Sequence, residues 1–168
     1  MSPSTLHAPT RAALWAAAAR ILAPALWLGL VVGISFIEAP LKFTAPGITI
    51  PLGLGIGRLV FFAMNIVEIL LFIALLLGTI KRGTDKAWKW GVGVAGFVLL
   101  LKTAATRPGL SRRTDAVLSG NFEGGSLWHY AYIGAEGALT VTLVVLLVLA
   151  VRRWVSISAR RPAPRRRR

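Results

Sequence analysis

Four long apolar segments separated by basic loops dominate the chain, and they leave it few folds. A segment inside hydrocarbon must satisfy its own backbone N–H and C=O groups, and a helix does so along its whole length. Each helical crossing consumes about 20 residues, so 168 residues supply one compact membrane domain and little else. The expected fold is all-α: a polytopic integral membrane four-helix bundle occupying 11–154, with crossings at about 21–38, 58–80, 87–106 and 127–151. Mean hydropathy of +0.68 agrees with this and leaves no room for a soluble domain.

The connecting segments carry the punctuation. Residues 1–10 read as a disordered N-terminus, and 11–20 as an Ala-rich helical lead-in with Trp15 at interface depth. The apolar core that follows is longer than the 7–15 residues of a signal peptide, which argues against cleavage. Residues 39–57 contain three prolines and four glycines and are expected to form a capping or partly re-entrant loop. The G-x-G-x-G run inside that stretch has no preceding strand, Lys-Ser/Thr pair or following acidic ribose ligand, so a phosphate cradle is not supported. Arg107 and Pro108 should stop the third helix, a short surface helix is expected over 110–118, and a Gly-rich linker over 121–126. The tryptophans read as interface anchors, and Gly29 with Gly33 and Gly134 with Ala138 as small-residue pairs that permit close helix contact.

Composition removes several chemistries. With no cysteine, the chain has no disulfide, thiolate nucleophile, Cys-type zinc site or iron–sulfur ligand, and two methionines make a poor thioether copper site. No cofactor is expected. The net charge of +14 is concentrated in loops and in the Pro-broken tail of 155–168, which should be disordered and bind anionic lipid. That tail has no aromatic interleaving, so no specific nucleic-acid partner is expected. The expected partners are the lipid bilayer, a homo-oligomer or a membrane partner protein.

Charge also sets the orientation. With both termini cytoplasmic, that side holds Arg11, Arg20, Lys81, Arg82, Lys86, Lys89 and eight arginines from Arg152 onward, while the outside holds Lys42, Arg58, Lys102, Arg107, Arg112 and Arg113. Fourteen against six predicts a multi-pass plasma-membrane protein with both ends inside.

The informative residues are those that ought not to be in hydrocarbon. A carboxylate there costs roughly 2.5–3.5 kcal/mol on insertion scales and persists only when paired, protonated or facing a polar cavity. Three of the six acidic residues are so placed: Glu38 closes the first segment, Glu68 lies within the second and Glu136 within the fourth. At 1.5 Å per residue, Glu136 lies roughly 13 Å, Glu68 roughly 15 Å and Lys102 about 6 Å below the outer ends of their helices. Asn65 and Glu68 share one face, and His129, Tyr132 and Glu136 form one stripe, so both faces should point inward. The candidate binding cluster is therefore Glu38, Asn65, Glu68, Lys102, His129, Tyr132 and Glu136, with Arg107, Arg112 and Arg113 as outer-loop basic residues. Hard oxygen ligands with one imidazole suit a divalent cation or a proton relay, though no particular metal is implied. The competing expectation is that a glutamate pairs with Lys102, Arg112 or Arg113 and the set serves only to hold helices together.

The stretch ISFIEAPLK at 34–42, Asn65-x-x-Glu68, Arg107-Pro108-x-Leu110-x-x-Arg113 and His129-x-x-Tyr132-x-x-x-Glu136 resemble the small bacterial four-helix membrane proteins related to transmembrane protein 205. The resemblance implies a four-helix integral membrane protein of unknown biochemical activity. Lys102 departs from it, standing where such proteins would carry an uncharged polar residue. A more distant likeness to copper-resistance membrane domains is weakened by the missing cysteines and paired histidines. Function is expected to be a small-solute, proton or cation pathway, or alternatively a non-catalytic structural or assembly subunit. Catalysis ranks third, because no recognisable catalytic pattern is present and one intramembrane histidine cannot give bis-His haem ligation.

Overall fold

The computed structural model describes residues 10–80, 84–120 and 127–159, and these are almost entirely helical, with no strand among them. Residues 1–9, the 81–83 turn, the Gly-rich linker at 121–126 and the tail from 160 onward lie outside the described residues. Helix α1 spans Arg11–Val31 and is opened by Thr10, whose hydroxyl accepts from the Ala13 amide at 3.3 Å. It runs without a break into a π-helical stretch, Val32–Glu38, then the short α2, Ala39–Leu41, and a 3-10 turn, Lys42–Thr44. Helix α3 spans Ile50–Ile80 and α4 Lys86–Leu101. A second π stretch, Lys102–Thr106, leads into α5, Arg107–Leu118, and α6 spans Leu127–Ala159.

Among the described residues, three stretches are long and apolar enough to cross a membrane: Arg11–Thr44, Ile50–Ile80 and His129–Arg153. Helix α4 is not among them. Its 16 residues reach only about 24 Å, short of the ~30 Å hydrocarbon core, and charge flanks it with Lys86 and Lys89 at one end and Lys102 at the other.

The segment expected as a loop over 39–57 is mostly helical. Helix α3 starts at Ile50, eight residues before Arg58, and Pro51 occupies its first turn, where a missing amide hydrogen costs little. Its glycines serve packing: a Cβ at Gly53 would overlap the Phe43 ring, and one at Gly57 would come within 3.0 Å of Lys42 Nζ. The reversal between the two helices turns on Gly47, with φ of +81°, a conformation that side-chain-bearing residues rarely adopt. Pro108 likewise does not stop the chain. The π stretch ends at Thr106, so proline falls in the first turn of α5, where it is tolerated.

The core follows helical periodicity. Trp88, Val92, Ala95, Val98 and Leu99 line one face of α4, and Leu139, Leu143, Leu146 and Ala150 one face of α6. Ala23, Trp27 and Val31 of α1 and Met64 and Leu75 of α3 complete it. Trp27 and Trp88 are thus core residues, contrary to the anchor expectation, whereas Trp15 and Trp90 are exposed. The small-residue contacts also fall elsewhere than expected. Around Gly29, Gly33 and Gly134 a Cβ would meet nothing within 4 Å. At Gly78 it would lie 3.2 Å from Ala19 Cβ and 3.3 Å from the Ala16 carbonyl, so α1 and α3 approach closely there, and Arg20 Nε donates to the Gly78 carbonyl at 2.8 Å.

This geometry separates two glycine classes. Gly78→Val should lower stability by about 1–3 kcal/mol through overpacking against the α1 backbone, while Gly29→Val should change it by less than about 0.5 kcal/mol. Thermal unfolding of the two variants in one detergent checks this, and equal effects would contradict the packing described.

Candidate functional site

The buried faces of three elements converge on charge. Lys102 continues the α4 face by one turn beyond Val98 and Leu99, and it is completely buried. Glu68 of α3 is also completely buried and Glu136 of α6 is 2% exposed, so all three ionisable groups are out of solvent. The Lys102 ammonium donates to Glu68 Oε1 at 2.8 Å and Oε2 at 3.1 Å. It also stands 2.7 Å from Glu136 Oε1, an ion-pair contact that lies off the hydrogen-bonding directions.

Helix α1 supplies the fourth member. Trp27 Nε1 donates to Glu68 Oε1 at 3.0 Å, so the indole is both a packing residue and a carboxylate ligand. Its ring meets Phe72 edge-on, with centroids 6.1 Å apart. The Tyr132 ring, one turn before Glu136, lies with its centroid 5.3 Å from Lys102 Nζ and packs edge-on against Phe61 at 5.5 Å. Asn65 is buried on the same face of α3 as Glu68.

The remaining predicted residues are elsewhere. Glu38 pairs with Lys42 at 3.3 Å, one turn apart along the α1 extension, and the Lys42 ammonium lies 5.5 Å from the Phe61 ring centroid. The aromatic rings of Phe61 and Tyr132 link this second ion pair to the buried cluster. His129 is exposed, near the start of α6, with its ring edge-on to Tyr130 at 6.1 Å. The stripe running from His129 to Glu136 therefore turns from an exposed to a buried environment between 129 and 132. Arg112 is exposed, and the side chains of Arg107 and Arg113 lie outside the described residues. A further ion pair joins Arg58 of α3, whose guanidinium meets Asp115 of α5.

Trp27 is the member that sequence reasoning missed. Its signal was available: it lies between Ala23 and Val31 at four-residue spacing, well inside the first apolar segment and not at its border.

Chemically, the arrangement is a carboxylate pair already holding a cation. The Lys102 ammonium occupies the position that a metal or alkali ion would need, and no three His, Asp or Glu side chains gather as a metal site among the described residues. A cleft of about 80 Å³ lined by Arg20, Asp85, Trp88 and Arg153 contains none of the cluster residues. No family model, curated protein or solved structure matches the chain. The resemblance to the transmembrane protein 205-related proteins therefore rests on short motifs alone.

Hydrogen bonds to charged acceptors contribute about 1.5–3 kcal/mol, so Trp27→Phe should lower stability by at least that amount. In a Glu68→Gln background the loss should shrink, because the acceptor is then neutral. Denaturant unfolding of the four proteins in one detergent checks this, and an equal loss in both backgrounds would show that Trp27 acts by packing alone.

Proposed function

We propose that the chain is a non-catalytic integral membrane protein, a structural or assembly subunit in which Glu68, Lys102 and Glu136 fasten a four-crossing bundle. The observation that carries this reading is the location of the Lys102 ammonium, which fills the space between two buried carboxylates that a pathway would leave for its cargo. A solute, proton or cation pathway also needs an approach to its polar groups, and here the flanking side chains are the rings of Tyr132, Phe61 and Trp27.

Membrane insertion is supported by what the fold leaves uncovered. Only 22% of the most apolar window is buried in each of the first two long stretches, and Leu26, Leu59, Leu70, Leu77, Phe97 and Leu100 all face outward. Water does not tolerate apolar surface of that extent on a monomer, whereas lipid does. On this reading α4 with its π extension, 21 residues together, is the fourth crossing. Lys102 can lie at that depth because its charge is met inside the bundle. The charge count of fourteen to six supports cytoplasmic termini at the plasma membrane. The basic tail then faces anionic lipid, and a second copy or another membrane protein is the partner.

Reconstitution separates the readings. Purified protein in proteoliposomes should give no proton or monovalent-cation flux above empty vesicles, and Glu68→Gln should lower the amount of folded protein in the membrane. A flux that Glu68→Gln abolishes would overturn the subunit reading in favour of a pathway.

A further inference from the structure

Three helix ends meet around a cleft that the buried cluster does not touch. Arg20 of α1, Asp85 at the start of α4 and Arg153 of α6 line it, with Ile21, Trp88 and Leu149 among its apolar walls. Each of those ends is also the border of an apolar segment. Arg20 immediately precedes the first expected crossing, Asp85 precedes the third, and Arg153 closes the apolar stretch His129–Arg153. Charge and apolar wall therefore lie together at the level where hydrocarbon gives way to headgroups. Arg20 is half-buried, and its Nε donates to the Gly78 carbonyl at 2.8 Å, a bond that holds the guanidinium in place and neutralises none of its charge. Arg153 is exposed on α6 and close enough for the two positive charges to repel one another. The Asp85 carboxylate is engaged by its own helix, accepting from the Trp88 amide at 2.8 Å.

We propose that this cleft binds the phosphate of an anionic phospholipid headgroup, with Arg20 and Arg153 as its ligands and the acyl chains leaving past Ile21 and Leu149 into the bilayer. Two observations carry the assignment. Two guanidinium groups from different helices line one cleft, and a phosphate between them turns their mutual repulsion into two charge-assisted contacts. The cleft measures about 80 Å³. A single water needs about 10–15 Å³, so a group of several heavy atoms fits there, while the acyl chains stay outside. A zwitterionic headgroup fits less well, because its ammonium would meet the charge of the second arginine. The site rests on the membrane reading, since a bilayer is what presents a lipid at this level, and it is independent of the subunit reading. Unlike the diffuse attraction of the tail, it holds one lipid at fixed residues of the folded body.

Native mass spectrometry of the full-length protein in detergent, titrated with dioleoyl phosphatidylglycerol or dioleoyl phosphatidylcholine, tests it. The wild type should bind one phosphatidylglycerol in preference to phosphatidylcholine. Arg153→Gln should weaken that binding at least about tenfold, the equivalent of one charge-assisted hydrogen bond. Arg20→Gln should weaken it too, but it also loses the bond to the Gly78 carbonyl, so the exposed Arg153 is the deciding position. Arg11→Gln, an exposed arginine of the same helix outside the cleft, should leave it unchanged. Equal binding of the two lipids, or an equal loss in Arg11→Gln, would overturn the proposal. Displacement of the bound lipid by excess inorganic phosphate would assign the cleft to a free anion and overturn the lipid assignment. Alkaline carbonate washing of membranes separates this from the reading beneath it. Release of the chain would overturn insertion and the lipid site together, whereas retention without lipid selectivity would overturn the site alone.

Discussion

The interaction on which the rest of the structure depends is the contact of one buried ammonium with two buried carboxylates. Lys102 Nζ touches Glu68 on α3 and Glu136 on α6, and Trp27 brings α1 onto the same carboxylate. Four segments far apart in sequence thus meet at one charged centre. Burying any one of these groups alone would be severely unfavourable, so each is tolerable only while the others stay in place. That interdependence fixes the register of the helices more sharply than apolar packing can. Leucine on one side of a bundle is nearly interchangeable with leucine on another, but a lysine between two glutamates is not.

Around this centre the packing is graded. On one side, towards the ends of α3 and α6, lie Leu75, Leu139, Leu143 and Leu146 with Trp88. On the other, Phe61 and Tyr132 separate the buried cluster from the Glu38 and Lys42 pair. Among the described residues, close helix approach falls at Gly78 against α1 and at glycines that accept a neighbouring side chain: Gly53 under Phe43, Gly57 under Lys42, Gly91 under Leu146 and Gly96 under Phe72. Phe72 illustrates the economy of this arrangement, since it covers Gly96 on α4 and the Trp27 ring on α1 together. The two π-helical stretches occur where each of two helices leaves the regular core. One precedes Lys42, and the other begins at Lys102 itself. Such widened turns often accompany functional positions, and here the second ends the α4 face on its single charge.

The helical character of the chain and the convergence of Glu68, Lys102 and Glu136 were legible in the sequence, for a common physical reason. A long apolar segment must be helical in lipid, and a charge inside it must find an opposite charge at the same depth. What was not legible depended on packing between segments. The glycines and prolines of 39–57 suggest a loop when read singly, yet Gly53 and Gly57 form a smooth helical face for Phe43 and Lys42. Trp27 has the residue type of an interface anchor, and only its neighbours show it to be a carboxylate ligand. His129 shares a helical stripe with Glu136, but periodicity does not report where along that stripe the helix enters the core.

The central claim is that Glu68, Lys102 and Glu136 stabilise one another as a unit, and the most direct test is a comparison of unfolding free energies in a single detergent for two variants. Lys102→Met alone should cost about 3–5 kcal/mol, because it strands two buried carboxylates. The triple variant Glu68→Met, Lys102→Met, Glu136→Met should recover most of that loss, since an apolar set of similar volume has no charge left to satisfy. A triple variant no more stable than the single one, or a single variant as stable as the wild type, would contradict the account.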